Sequence, residues 1–197
     1  KTLLIDLDPQ GSSTFYFRIK PKIKGKIRKF IKSLNKIKRS IKGTDFENLD
    51  LLPADFSYRK LDLIFNNSKR KFKALTKMIK PLKKEYSYIF IDCAPNITLV
   101  SENILTTSDY TLIPIIPTTL SVRTYDQLIS FLNKKRFSEK KLLAFLSMVE
   151  GRKKMHKEHA KKMRHKTKKL LDSEIPYLSE IEKMGIMRNP VLSRSPN

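Results

Sequence analysis

Three aspartates stand where a chain could do chemistry with them. Asp6 and Asp8 follow the short apolar run Leu3-Leu4-Ile5, and Asp92 closes Tyr88-Ile89-Phe90-Ile91. A short apolar run bounded by Pro9 and Gly11 reads as a buried strand entering a loop, so the carboxylates belong at C-terminal strand ends. In open parallel sheets ligands bind in the crevice outside those ends, and the three are expected to face one crevice. Crowded carboxylates repel each other unless a cation joins them. Mg²⁺ suits such a place because it keeps most of its water and takes only one or two carboxylates. Strand-end aspartates also cap helices and loops, and the pattern by itself leaves both roles open.

The elements that would position these residues follow from hydrophobic patterning. Further strand-like runs occur at Leu49 to Leu52, Tyr110 to Ile116 and Leu142 to Val149. Apolar strands of this kind, separated by helical patterns, predict a mostly parallel sheet with helices on both faces. Ile19, Ile23, Ile27, Phe30, Ile31, Leu34, Ile37 and Ile41 recur every three or four residues. This predicts one long amphipathic helix, interrupted near Pro21 and Gly25, whose lysines form its wet side. Further helices are expected at Leu61 to Lys84, Ser121 to Lys135 and Met155 to Leu171. The whole, residues 1–197, reads as a single α/β domain.

Composition narrows the classes. No apolar run is long enough for a membrane-spanning helix, and the single Cys93 excludes a disulfide framework or a multi-cysteine metal site within one chain. With 42 Lys and Arg against 19 Asp and Glu, the formal net charge is +23. A field of that sign attracts nucleic acid or an anionic membrane surface, while a lysine-biased composition also yields simple solvated surface. The densest cationic stretch runs from Lys153 to Lys169. Within it Lys153, Lys154, Lys157, Lys161, Lys162, Arg164, Lys168 and Lys169 are the candidates for DNA phosphate contacts, on charge density rather than motif.

Leu3-Leu4-Ile5-Asp6-Leu7-Asp8-Pro9-Gln10-Gly11 resembles the second signature of ParA-type partition ATPases, the deviant Walker-motif branch of the P-loop NTPases. Tyr86 to Pro95 resembles that family's Walker B strand and the loop after it, and Asn48 to Ala54 the strand between the two. Leu99 to Leu105, Ser108-Asp109 and Ile113 to Pro117 continue in the family's order. The resemblance implies a P-loop NTPase-like, Rossmann-like sheet. It also implies an ATP-dependent dimerisation switch that segregates plasmids or chromosomes. The homodimer of the ATP state binds double-stranded DNA nonspecifically, and a centromere-binding ParB-like protein stimulates hydrolysis. By the same resemblance Asp8 orients the attacking water, Asp6 and Asp92 hold Mg²⁺ through its water shell, and Pro176 with Tyr177 passes the adenine of ATP. A cytoplasmic, nucleoid-associated protein without stable membrane association is implied.

One departure matters for activity. No Gly-x-x-x-x-Gly-Lys-Ser/Thr occurs in these residues, and Gly25-Lys26 lacks both the earlier glycine and the following hydroxyl. The sequence therefore reads as lacking the family's first strand, phosphate loop and first helix. The chain as given is expected neither to bind ATP tightly nor to hydrolyse it. A parallel sheet without an interior strand is expected to be marginally stable or to aggregate. Past Pro176 the family's arginine-rich pattern is replaced by Tyr177-Leu178-Ser179-Glu180.

His156-Lys157-Glu158-His159 falls one residue short of either zinc-protease spacing. Cys93 beside Asp92 reads as packing. Two other readings are a decayed DNA-binding fragment without an ATPase role and a MinD-like membrane-associated division-site regulator. Asp8-Pro9-Gln10 favours the ParA type over the latter.

Overall fold

The computed structural model describes residues 1–20, 26–167 and 169–191. In chain order it contains β1 (Thr2–Asp6), α1 (Ser12–Tyr16), α2 (Ile27–Phe30), α3 (Leu34–Ser40), β2 (Lys42–Gly43), β3 (Leu49–Leu52), α4 (Leu61–Asn66), α5 (Ala74–Ile79), β4 (Tyr88–Asp92) and α6 (Leu99–Thr107). These are followed by β5 (Thr111–Ile115), α7 (Thr119–Lys134), β6 (Leu142–Val149), α8 (Lys154–Lys166), β7 (Leu170–Pro176) and α9 (Ser179–Met187). The chain divides into two compact units, Lys1–Thr107 with the segment from Lys183, and Ser108–Glu182.

In the first unit the sheet order is β2-β3-β1-β4. β1 runs parallel to both β3 and β4, with Leu4 opposite Leu51 and Phe90, and Asp6 opposite Asp92. Alternation assigns the faces. Leu3, Ile5 and Leu52 are fully buried, and Ile89 and Ile91 join them against Ile27, Phe30, Ile37, Leu61, Phe65, Leu75, Ile79 and Ile104 of α2 to α6. On the opposite face of β4, an edge strand among the described residues, Tyr88 and Phe90 remain 67% and 52% exposed.

In the second unit β5, β6 and β7 form a parallel sheet in that order. Ile115, Ala144 and Leu146 pack against Tyr125 of α7 and Met163 of α8. Thr118 caps α7 by accepting the Ser121 N–H at 3.5 Å. Near its end β6 bulges: the register with β7 shifts between Leu146 and Val149, and Met148 takes φ 54°.

The strand expectations hold to within a residue or so, and the helix expected at Ser121 to Lys135 is found at Thr119–Lys134, but the other three long helices do not hold. The stripe from Ile19 to Ile41 becomes α2 and α3, because Ser33 leaves helical geometry and its side chain caps α3 through the Lys36 N–H. Ile23, Pro21 and Gly25 lie outside the described residues. The run from Leu61 to Lys84 is broken after Asn66, where Asn-Asn-Ser offers turn chemistry, and again at Pro81, which has no N–H to give. The helix expected to reach Leu171 stops at Lys166. Leu170 instead enters β7, paired with Ala144.

Candidate functional site at the ends of β1 and β4

The ladder between β1 and β4 continues one step past Asp6, where the Leu7 N–H donates to the Asp92 carbonyl at 2.8 Å. That bond holds the two strand ends side by side. The chain then reverses. The Gly11 N–H donates to the Asp8 carbonyl at 2.9 Å, and the Gln10 N–H to Asp8 Oδ1 at 2.9 Å. Gly11 sits at φ 68°, and a Cβ placed there would meet the Ala54 Cβ at 3.3 Å. Both the left-handed backbone and the close approach call for glycine.

This reversal delivers α1 with its hydroxyls pointing back at the strand ends. Ser13 Oγ donates to Asp92 Oδ2 at 2.6 Å. Thr14 donates twice to Asp6 Oδ2, from its N–H at 2.8 Å and from Oγ1 at 2.7 Å. Thr14 Oγ1 also accepts the Ala54 N–H at 2.8 Å, which ties in the loop after β3. The Asp8 N–H donates to Asp6 Oδ1 at 3.2 Å. From the other side of the turn, Arg188 lies 4.3 Å above the Phe15 ring and donates from Nε to the Phe15 carbonyl at 2.8 Å.

Asp6 is completely buried yet has three donors, which is how a chain can keep such a group inside. Burial still pushes its carboxyl above the ordinary 3.8, Thr14's bonds oppose that, and the neighbouring Asp92 charge adds to it. Cys93 is raised as well, by burial first and then by the charges of Asp92 and Asp8. Its side chain packs at the edge of the core.

Asp6 and Asp92 thus come together as expected. The Asp8 carboxylate stands two residues further on and accepts from the Gln10 N–H in its own turn. Among the described residues no three His, Cys, Asp or Glu side chains are grouped to hold a metal by themselves. Asp92, partly exposed and bonded to the Ser13 hydroxyl, fits a place beside a hydrated magnesium ion, which needs few protein ligands, whereas Asp6 is completely buried with both oxygens engaged by donors. Sequence reading missed Ser13, Thr14 and Ala54. The hydroxyl run Ser12-Ser13-Thr14, directly after the glycine, was the available signal.

Pro176 and Tyr177 fall in the second unit. The Tyr177 N–H donates to the Val149 carbonyl at 3.0 Å, and its hydroxyl to Glu182 Oε1 at 2.5 Å, a bond that raises the tyrosine's pKa. On α8, His156 and Met163 face inward. Lys154, Lys157, Lys161, Lys162 and Lys169 are exposed. Lys153 pairs with Glu150 and Arg164 with Glu174, so the outward set is smaller than its composition suggests. Lys168 lies outside the described residues. His156 Nδ1 accepts the Glu150 N–H at 3.0 Å, and His159 Nε2 contacts Thr119 Oγ1 at 3.1 Å.

Residues 1–145 match the family model described as an AAA domain. The chain is 35% identical over 118 residues to the chromosome partitioning protein ParA of Myxococcus xanthus, covering 58% of this chain and 41% of that protein. It is 31% identical over 152 residues to the sporulation initiation inhibitor protein Soj of Bacillus subtilis, covering 77% and 58% respectively. The chain thus spans about half the length of these relatives. The same fold is found in cobyrinic acid a,c-diamide synthase from Mycobacterium smegmatis, solved with an ATP analog and magnesium. There the TM-score is 0.76 at 22% identity, over 95% of this chain and 78% of that one.

Proposed function

Since the chain belongs to the AAA-domain family of ParA-type partition ATPases, we propose that it serves plasmid or chromosome partitioning as part of an ATP-dependent, DNA-binding dimerisation switch. The observation that carries this reading is the paired strand-end site, in which Asp6 and Asp92 are aligned in register and clamped by Thr14 and Ser13.

In this reading Asp92, to which Ser13 donates, would hold Mg²⁺ through its waters, and the buried Asp6, which the family resemblance also assigns to the ion, would support it from the core. The ion, when bound, neutralises charge on the phosphates of ATP. Asp8, on the turn just beyond, orients the attacking water and takes up its proton. The buried Thr14 clamp fixes Asp6, so the turn carrying Asp8 starts from a rigid point. Phosphoryl transfer depends on positioned charge more than on covalent catalysis, and a carboxylate on a fixed turn suits it.

A Gly-rich phosphate-cradling loop is not among these residues. We therefore assign them the metal-holding and water-orienting half of the chemistry, and expect no tight ATP binding or hydrolysis by the 197 residues alone. Pro176 and Tyr177 are assigned to the adenine, and the outward lysines of α8 to nonspecific duplex DNA. A homodimer in the ATP state, a ParB-like stimulating partner and association with the nucleoid complete the reading. Among the described residues no helix is long and apolar enough to cross a membrane.

The test is replicon retention over many generations in cells whose gene product carries Asp8→Ala. Retention is expected to fall to the level of random segregation while the protein remains present. Unchanged retention would overturn the assignment.

A further inference from the structure

The first unit carries a cationic surface of its own, built from residues other than those of the strand-end site. It is a groove of about 730 Å³ between the α2 region and the α4–α5 segment. Seven cationic side chains line it: Arg28 and Lys32 on one wall, Lys69 and Arg70 in the loop after α4, and Lys73, Lys77 and Lys80 along α5. Among the described residues no Asp or Glu lines it, and Asn67, Ser68 and Thr76 add hydrogen-bonding groups.

Packing explains why these side chains converge. Leu75, Met78 and Ile79 bury the inner face of α5 in the core. That turns positions 73, 77 and 80, spaced by four and three, outward along one stripe. The segment leading into α5 is pinned by Asn103, which is fully buried. Its Nδ2 donates to the carbonyls of Lys71 at 2.7 Å and Leu99 at 2.8 Å, and its Oδ1 accepts the Leu75 N–H at 3.3 Å. The wall that carries Arg70, Lys73 and Lys77 is therefore held in place before any ligand arrives.

Pairing separates this surface from the rest of the basic composition. On α8 the cations Lys153, Arg164 and Lys166 each reach a carboxylate. Among the described residues none of the seven groove cations does. Seven like charges gathered without a counter-charge repel one another, and a polyanion removes that repulsion. Among the described residues the lining has only Ile64 and Ala74 as apolar residues and no aromatic ring. It offers nothing to stack an unpaired base or to bury a drug-like ligand, but much to meet a row of phosphates.

We propose that this groove binds the phosphate backbone of duplex DNA without regard to sequence. The inference extends the DNA-binding reading given above to a surface that α8 does not share, and the two can be separated by experiment.

Duplex DNA binding is measured by fluorescence anisotropy across a salt series. Three proteins are compared: the unaltered chain, a groove variant (Arg70→Ala, Lys73→Ala and Lys77→Ala together) and an α8 variant (Lys157→Ala, Lys161→Ala and Lys162→Ala together). The groove variant is expected to bind about tenfold or more weakly at about 0.1 M salt on every sequence, with the log K against log salt slope shallower by about two to three. If only the α8 variant weakens, DNA binding stands and the groove assignment is wrong. If the unaltered chain does not bind duplex DNA, the groove assignment falls. If the groove variant loses binding to phosphatidylserine vesicles and keeps its hold on DNA, the assignment is wrong as well. Acetic anhydride footprinting of the unaltered protein checks the result independently of folding. Duplex DNA should shield Lys73, Lys77 and Lys80, and equal acetylation with and without DNA would refute the proposal.

Discussion

Thr14 joins three segments through one hydroxyl, and replacing it by valine tests how much of the site's order comes from that atom. Thr14 is buried, and valine matches its shape, so Thr14→Val opens no cavity. It removes the 2.7 Å bond to the Asp6 carboxylate and leaves the Ala54 N–H without its 2.8 Å acceptor. A bond to a charged group contributes about 1.5–3 kcal/mol, and a buried orphan donor costs about 1–3 kcal/mol, so a loss of about 3–5 kcal/mol is expected. Thr14→Ser keeps both bonds, loses one methyl and should cost only about 1 kcal/mol. Urea denaturation of both variants at several pH values is the assay. The sign follows from Asp6, whose carboxyl is raised in the folded chain. Its ionisation therefore costs stability above the folded pKa, and that cost vanishes below the unfolded value. Loss of a Thr14 donor raises the carboxyl further, so the valine penalty should be largest near neutral pH and shrink toward acid. A valine variant no less stable than the serine variant would refute the clamp.

Asp6→Asn removes the titrating group, so the decline in stability that the unaltered chain shows as pH rises from about 3.8 through the raised pKa should flatten in a difference curve from the same urea series. Phe90→Lys, on the open face of the edge strand β4, should lower self-association in sedimentation velocity with less than about 1 kcal/mol lost, because lysine on an edge discourages strand pairing and little packing is removed. Aggregation undiminished in the lysine variant would mean that another surface drives it.

The strands were legible because their signal is local. Leu49 to Leu52 and Leu142 to Val149 are continuous apolar runs with sharp ends, and the observed bounds are the same. Lys42–Gly43 carries no apolar signal, so β2 was invisible; its pairing is set by its neighbour β3. Three of the four long helices were overextended for a related reason. Isoleucine spacing from 27 to 41 fits one helix as well as two, and the deciding residue, Ser33, acts through a side-chain bond to Lys36 that periodicity does not weigh. Asp6 and Asp92 could be placed at neighbouring strand ends from topology rules, whereas Thr14 and Ala54, forty positions apart, meet only once the fold exists.

The basic residues show the same division most sharply. Lys153 to Lys169 is dense in sequence and drew attention as a phosphate-binding stretch, but α8 turns His156 and Met163 inward and gives Lys153, Arg164 and Lys166 carboxylate partners. Arg28 and Lys32 are separated by more than thirty residues from Lys69, Arg70, Lys73, Lys77 and Lys80, so no linear stretch announces them, and nothing among the described residues neutralises them. What a cation does for binding depends on whether a carboxylate already holds it and on how many others face the same space. Both are properties of the folded chain, which is why the groove, rather than the denser helix, is where removal of three cations should change the salt slope most.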